Sequence, residues 1–241
     1  MIQLHSLAYA PFPDAEPLNP RFRKGHAKLR LVVDAAPAPD VPDQALMGRL
    51  TAAFPGMARH HCQVGDAAVP RASGARGVVL VEGEPTANQA HLLEHLVLEM
   101  LHFLDRSVRL SGVTCAYLSP PERNDIFVEC ENEASGGLAA RLAVEAMNGA
   151  LAGAPLAPRY PDALRCARLL RRHASATWPA ARLGRAARIP LARAGAALET
   201  LAHTSFVERE SFAMNFSGEP HYRFVGAGAI APPARGPASG R

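Results

Sequence analysis

The chain has 241 residues, of which 48% are hydrophobic and 20% charged, so it is long and apolar enough to bury a substantial core. It contains no run of 18 uncharged apolar residues, which argues against a membrane span. Its N-terminus lacks a basic segment followed by an apolar stretch, which argues against a signal peptide, so we expect a cytoplasmic protein. The net charge is +4, and all but two of the 26 basic residues are arginine.

The pattern of apolar residues predicts an α+β fold. In chain order it predicts a strand at 28–34, a helix at 44–54, a strand at 78–81, a helix at 87–104, strands at 113–118 and 126–131, and helices at 138–151 and 161–173. Thr86 and Gln89 are spaced as a capping box for the 87–104 helix. The two later strands form a hairpin in this interpretation. We therefore expect a mainly antiparallel sheet with helices on one face, in a single domain with an irregular C-terminal extension.

Composition divides the chain into four segments. Residues 1–25 are rich in proline and polar groups and predict an irregular lead-in. The α+β domain is expected over 26–175 and an Arg/Ala-rich extension over 176–230. Residues 231–241 are of low complexity, which predicts a disordered tail.

The strongest chemical signal is H-x-x-E-H, formed by His91, Glu94 and His95 inside a predicted helix. Positions i and i+4 lie about 40° apart around a helix, so both imidazoles can bind one metal ion. Glu94 points to the side of that pair, where it could accept a proton from a water that the metal activates. The alternative is an amphipathic helix with two half-buried histidines that bind nothing.

A zinc site needs a third protein ligand, and the first candidate is Glu145. It lies on the apolar face of a predicted helix, where a carboxylate must be paired or metal-bound. The alternative is that Glu145 lies at the edge of that face and reaches solvent. Glu129 and Glu131 are rival candidates on the more polar face of a predicted strand.

Two further clusters stand out, of which the first, His60-His61-Cys62, is interpreted as structural. In the sequence His60-His61-Cys62, alternation along a strand allows at most two side chains to converge. Residues 159–193 carry nine Arg and one acidic residue, which suggests a surface facing a polyanion or a solvated basic face. Few aromatic residues are interleaved there, which argues against a nucleic-acid partner.

Several short motifs in order resemble the N-terminal domain of cyanophycin synthetase, over roughly residues 20–205. The matching stretches are 28–34 (KLRLVVD), 50–62 (LTAAFPGMARHHC), 90–99 (AHLLEHLVLE), 127–133 (FVECENE) and 138–151, with weaker likeness at 185–193 and 198–203. The synthetase's ATP-grasp and Mur-ligase-like modules are not recognised, so we expect no synthesis of the polymer. The resemblance implies an α+β domain that binds cyanophycin, a poly-aspartate bearing arginine, and that in many members also resembles a metallopeptidase.

These observations favour a zinc-dependent peptidase that hydrolyses cyanophycin or a related Arg/Asp-rich peptide. His91 and His95 would bind Zn²⁺ with Glu145, Glu94 would act as the base, and arginines of 159–193 could pair with substrate carboxylates. The alternative is a module that binds the polymer or a cyanophycin synthetase without cutting it. A nucleic-acid-binding protein is the third hypothesis, and the oligomeric state stays open.

Overall fold

A four-stranded antiparallel sheet, in the order β1-β2-β6-β5, forms the centre of the protein. The structure is a computed structural model that describes residues 1–37, 40–62, 75–81, 83–106, 110–210 and 220–226. Its strands are β1 (Ile2–Ala10), β2 (Lys28–Ala35), β3 (His61–Cys62), β4 (Ala75–Arg76), β5 (Ser111–Ala116), β6 (Arg123–Glu129), β7 (Trp178–Pro179), β8 (Val207–Glu210) and β9 (His221–Phe224).

Helices pack on one face of the central sheet and enclose the main core. The α-helices are α1 (Asp43–Ala53), α2 (Pro85–Leu104), α3 (Glu133–Leu151), α4 (Arg159–Arg172), α5 (Ala180–Ala187) and α6 (Leu191–Ala202). Leu29, Leu31 and Val33 point from β2 into this core because alternate residues of a strand face the same side. Helix α2 lies against β5 and β6 and is also contacted by α1, α3 and α4. Its middle turns are therefore buried on nearly every side.

The opposite face of the sheet is covered by a short irregular segment. A 3-10 helix, Pro13–Leu18, carries Ala15 into a small apolar cluster with Phe22 and Phe127. Lys28 is fully buried on this face, and its ammonium donates to the carbonyl oxygens of Pro11 and His26. The lead-in segment therefore covers the face of the sheet opposite the helices.

The predicted fold class is confirmed, but the lead-in over 1–25 is not irregular throughout. Residues 2–10 form β1, which pairs antiparallel with β2. The register shifts between Leu4 and Ser6, so His5 is an extra residue in a β-bulge. Buried side chains consequently change parity along β1, and the period-two signal disappears from the sequence.

Other element predictions need correction. Residues 78–81 form no strand, and α2 begins at Pro85 with Glu84 in the capping position, so Thr86 caps nothing. Much of the 176–230 segment is regular, because α5, α6 and a sheet in the order β7-β9-β8 lie within it. The tail predicted at 231–241 lies outside the described residues. Within the described ranges, no helix combines the length and hydrophobicity that crossing a bilayer requires.

Candidate metal centre

The centre of interest lies where β3 meets the first half of α2. Pro85 starts α2 at a position where its missing N–H costs nothing, and a continuous set of leucines then anchors the helix in the core. His91 and His95 are one turn apart on this helix, as the i, i+4 spacing predicts. A second 3-10 helix, Pro55–Arg59, leads into β3 and brings its side chains onto the same surface of α2.

Three potential metal-binding atoms converge there, from Cys62, His91 and His95. The Nε2 atom of His91 lies 3.1 Å from Nε2 of His95 and 3.2 Å from Sγ of Cys62. All three atoms lie within 4.8 Å of one another. In a tetrahedral zinc site with these donors, neighbouring ligand atoms are about 3.3–3.6 Å apart, which follows from the usual Zn–N and Zn–S lengths. The arrangement therefore fits one small metal ion with little movement.

A series of hydrogen bonds on the side away from the cluster fixes the orientation of the His95 ring. Nδ1 of His95 lies 3.0 Å from Nδ1 of His60, and Nε2 of His60 lies 2.9 Å from a carboxylate oxygen of Glu99. If Glu99 accepts from His60, the Nδ1 atom of His60 is the acceptor and His95 donates to it. This tautomer leaves Nε2 of His95 with a free lone pair, directed at the other two donor atoms. Carboxylate and imidazole partners of this kind orient metal-binding histidines in many proteins.

Gly56 makes room for the carboxylate of Glu99. A Cβ atom at Gly56 would overlap the carboxylate of Glu99, so no other residue type fits without displacing it. Glu99 is only 5% exposed, and a buried carboxylate requires hydrogen-bonding partners such as His60. The 3-10 helix and α2 are therefore fitted to each other around the His60–Glu99 pair.

Glu94 lies on the sheet side of α2. Its carboxylate accepts a hydrogen bond of 2.6 Å from the Thr114 hydroxyl of β5. Gly112 of the same strand leaves space for it, since a Cβ there would lie 2.7 Å from Oε1 of Glu94. Burial raises the pKa of Glu94 to about 7, partly opposed by the Thr114 hydrogen bond. A carboxyl group with such a pKa can both accept and release a proton near neutral pH.

Burial also shifts the three converging groups towards their neutral forms. It lowers the pKa of His91, and it lowers the pKa of His95 well below the ordinary value, with further contributions from His91 and His60. It raises the pKa of the Cys62 thiol, and the nearby charge of Glu94 adds to that effect. Neutral imidazoles can bind a metal ion without first losing a proton, whereas the thiol must lose one.

The structure does not bring the predicted third ligand to this cluster. Glu145 pairs with Arg159 at 2.6 Å and accepts a hydrogen bond from Tyr160. The carboxylate of Glu145 is thus paired with residues of α4, which is one of the two outcomes expected on this face, and the structure does not place it as the third ligand. Glu129 and Glu131 are elsewhere as well, since both pair with Arg23.

The sequence alone does not identify Cys62, His60 and Glu99 as parts of the site. Two side chains of the 60–62 segment converge as strand alternation allows, because His60 and Cys62 approach α2 while His61 is exposed. What the sequence lacked was the partner surface, which forms only when the 60–62 segment meets α2. Glu99 follows His95 at a further i+4 step, and this spacing is the one local signal that could have identified it.

Comparison with protein-family models decides the family. Residues 29–152 match the model described as the cyanophycin synthase-like N-terminal domain, which is just over half of the chain. The chain belongs to this family. A comparison with curated proteins finds no match.

The cyanophycin synthase-like domain runs from β2 to the end of α3. It contains all of the residues that form the cluster and its hydrogen-bond chain, together with Glu94 and the β5 strand that holds it. The Arg-rich segment 159–193 lies beyond the matched residues. Arg171 of that segment contacts α2 at Leu104 and Asp105, at the end of the helix away from the histidines.

Proposed function

We propose that this protein is a zinc-dependent hydrolase that cleaves amide bonds in cyanophycin or a related Arg/Asp-rich peptide. The observation that carries the proposal is the convergence of donor atoms from Cys62, His91 and His95. Glu94 directly precedes His95 on α2, and its charge acts on the Cys62 thiol by raising the pKa of that group. Family membership supports the choice of substrate class. The two-imidazole, one-thiolate donor set suits Zn²⁺, and three protein ligands leave one coordination position for chemistry.

The roles of the residues follow from their surroundings. Cys62, His91 and His95 would hold the ion, and His60 with Glu99 would fix the orientation of His95. Bound zinc polarises a carbonyl group and makes water a better nucleophile near neutral pH. Glu94 would accept the proton of the attacking water and transfer it to the leaving nitrogen, a role that its raised pKa favours. Thr114 and Gly112 would keep the carboxylate of Glu94 in place between these two steps.

Burial of the cluster favours a second candidate. Cys62 and His95 are only 4% and 3% exposed, and structural zinc sites are typically enclosed. In that case the ion would fasten the 60–62 segment to α2, and the domain would bind cyanophycin or a cyanophycin synthetase without cutting the polymer. The two candidates share the metal ligands and differ in the role of Glu94.

A cleavage assay with a Glu94→Gln variant separates the two candidates. The zinc-loaded wild type should shorten cyanophycin chains, as judged by their length on a gel. The Gln side chain cannot accept a proton, so cleavage should fall by a factor of about 10² to 10⁴, the usual effect of losing a general base. Zinc content and polymer binding should not change.

Glu145→Gln is the matched control, because it removes a carboxylate that is paired with Arg159 outside the cluster. This variant should cleave at the wild-type rate. If the wild type binds the polymer and its length stays constant, the hydrolase proposal is wrong and the binding candidate stands. If zinc is bound and the polymer is neither bound nor cut, the substrate class is wrong.

A further inference from the structure

The C-terminal part of the chain has the element order of a winged helix-turn-helix unit. After α3 come α4, β7, α5, α6, β8 and β9, with the three short strands arranged β7-β9-β8. The helices α4, α5 and α6 are thus followed by the antiparallel hairpin β8–β9. The third strand of this sheet, β7, lies between α4 and α5 in the sequence. The residues between β8 and β9 lie outside the described part of the chain. This whole unit lies beyond the family segment.

The pair α5–α6 has the features of a helix-turn-helix. Three residues, 188–190, join the two helices, and Ile189 in this turn is buried. Gly184 of α5 lies directly against Ala194 of α6, since a Cβ at 184 would be 2.9 Å from that of Ala194. Arg193 of α6 pairs with the buried Asp162 of α4 at 2.6 Å. These contacts hold α6 rigidly on the other two helices.

The first two turns of the outer face of α6 are open and carry mainly small or apolar side chains, and Glu199 further along this face is paired with Arg209 at 3.4 Å and accepts a hydrogen bond from Tyr222. Leu191 is 59% exposed, Ala192 and Ala196 are exposed, and no heavy atom lies within 4 Å of a Cβ placed at Gly195. In DNA-binding proteins of this architecture the second helix of the pair enters the major groove with its N-terminal residues against the base edges. Small residues permit close approach, and alanine methyl groups can contact thymine methyl groups.

Uncompensated positive charge surrounds the start of α6. Arg185 and Arg188 are exposed, and among the described residues neither has a carboxylate or hydrogen-bonding partner. Arg182 lies over the Trp178 ring, 4.7 Å from its centroid, and also lacks a carboxylate partner within the described ranges. By contrast, Arg165 is neutralised by Asp162. Arginines placed in this way can contact the phosphates on either side of a groove.

We propose that the three-helix part of this unit, α4 to α6, binds double-stranded DNA, with α6 in the major groove and Arg185 and Arg188 on the phosphate backbone. B-form DNA fits better than double-stranded RNA, whose deep and narrow major groove does not admit a helix. The described outer face of α6 offers no aromatic ring on which the bases of a single strand could stack. The protein would thus join a DNA-binding unit to a cyanophycin synthase-like domain.

The proposal is tested with the full chain and a fluorescently labelled pool of random-sequence duplex DNA. We expect binding, measured by anisotropy, that weakens steeply between about 50 and 200 mM salt. The double variant Arg185→Ala/Arg188→Ala should weaken binding at least about tenfold and reduce the salt slope by about two, one for each lost phosphate contact. Arg141→Ala removes an exposed arginine of α3 and should bind as the wild type does.

Two variants at Gly195 test the placement of α6 in the groove. Gly195→Glu introduces a negative charge into open space, so the unit should fold normally but lose DNA affinity at least about tenfold by repulsion from phosphates. Gly195→Ala should retain affinity within a few fold. Any of four results would overturn the proposal: no duplex binding at about 50 mM salt, equal competition by single-stranded RNA, an Arg141 variant as weak as the double variant, or unchanged affinity in Gly195→Glu.

Discussion

At the scale of single residues, the candidate metal centre depends on which atoms are free to bind a metal. Each imidazole has two nitrogens, and the His60–Glu99 pair directs Nε2 of His95 towards the other donors. Cys62 contributes the third donor from a segment whose neighbouring side chain, His61, faces the other way. The geometry therefore predicts distinct effects for residues that are adjacent in the sequence.

Replacing Cys62 by Ala should remove the metal. The wild type should hold about one zinc per chain, and Cys62→Ala should hold far less because two imidazoles alone bind weakly. Metal analysis of the purified proteins measures this directly. Cys115→Ala is the matched control, since this thiol is half-buried on β5 and is not part of the cluster. Equal zinc in wild type and Cys62→Ala would exclude the thiolate as a ligand.

Replacing His60 by Ala should weaken the metal site without removing a ligand. Loss of the hydrogen bond to His95 frees its ring orientation, and such changes usually lower zinc affinity by about 10–100-fold. Competition with a chelator of known affinity gives the measurement. His61→Ala changes the adjacent, exposed histidine and should have no effect. If both variants behave alike, the supporting role of His60 is wrong.

At the scale of elements, charged side chains join three of the four strands, β1, β2 and β6, at one end of the central sheet. Asp34 of β2 pairs with Arg123 of β6 at 2.9 Å and with His5, the bulged residue of β1, at 2.6 Å. The Arg123 hydrogen bonds hold the pKa of Asp34 below its ordinary value, and His5 contributes in the same direction. The β-bulge that removes the period-two pattern from β1 therefore also places His5 beside Asp34 of β2.

An Asp34→Asn variant should lose stability in a pH-dependent way. A carboxylate with a depressed folded-state pKa stabilises the fold above the pKa of the unfolded chain, about 3.9, and this contribution is lost as pH falls through the lower folded value. Partly exposed ion pairs contribute little, so the melting temperature at pH 7 should fall by about 1–4 °C. Below pH 4 the difference from the wild type should shrink.

Asp40→Asn provides the comparison, because Asp40 is exposed and outside this network. Its melting temperature should follow the wild type across the whole pH range. A deficit in Asp34→Asn that stays constant down to pH 2 would mean that the ionised carboxylate is not what stabilises these strands.

At the scale of the whole molecule, the parts that the sequence predicted are those with strong local periodicity. The long helix carrying His91 and His95, the α3 helix and the strands β2 and β6 appear within a few residues of their predicted positions. The identity of the third metal ligand depends on long-range packing, which the sequence pattern does not report. Glu145 lies on a helical face that suggested burial, and only the tertiary structure provides Arg159 as its partner. A local sequence pattern cannot show whether a carboxylate such as Glu145 pairs with an arginine from another helix or binds a metal.

The C-terminal unit was hidden for a different reason. The two helices α5 and α6 are short and rich in alanine, so few large apolar residues mark their buried faces. The three strands of the small sheet have at most four residues each, too short for a period of two to be recognised. Only the assembled order of the elements indicates the helix-turn-helix.

X-ray absorption at the zinc edge is the decisive measurement for the metal centre, because it reports the atoms that surround the ion in the zinc-loaded wild type. We expect one sulfur at about 2.3 Å, two imidazole nitrogens at about 2.0–2.1 Å and one further light ligand. The sulfur signal should disappear in Cys62→Ser. A first shell of nitrogen and oxygen alone, or a protein that retains no zinc after loading, would contradict this metal centre.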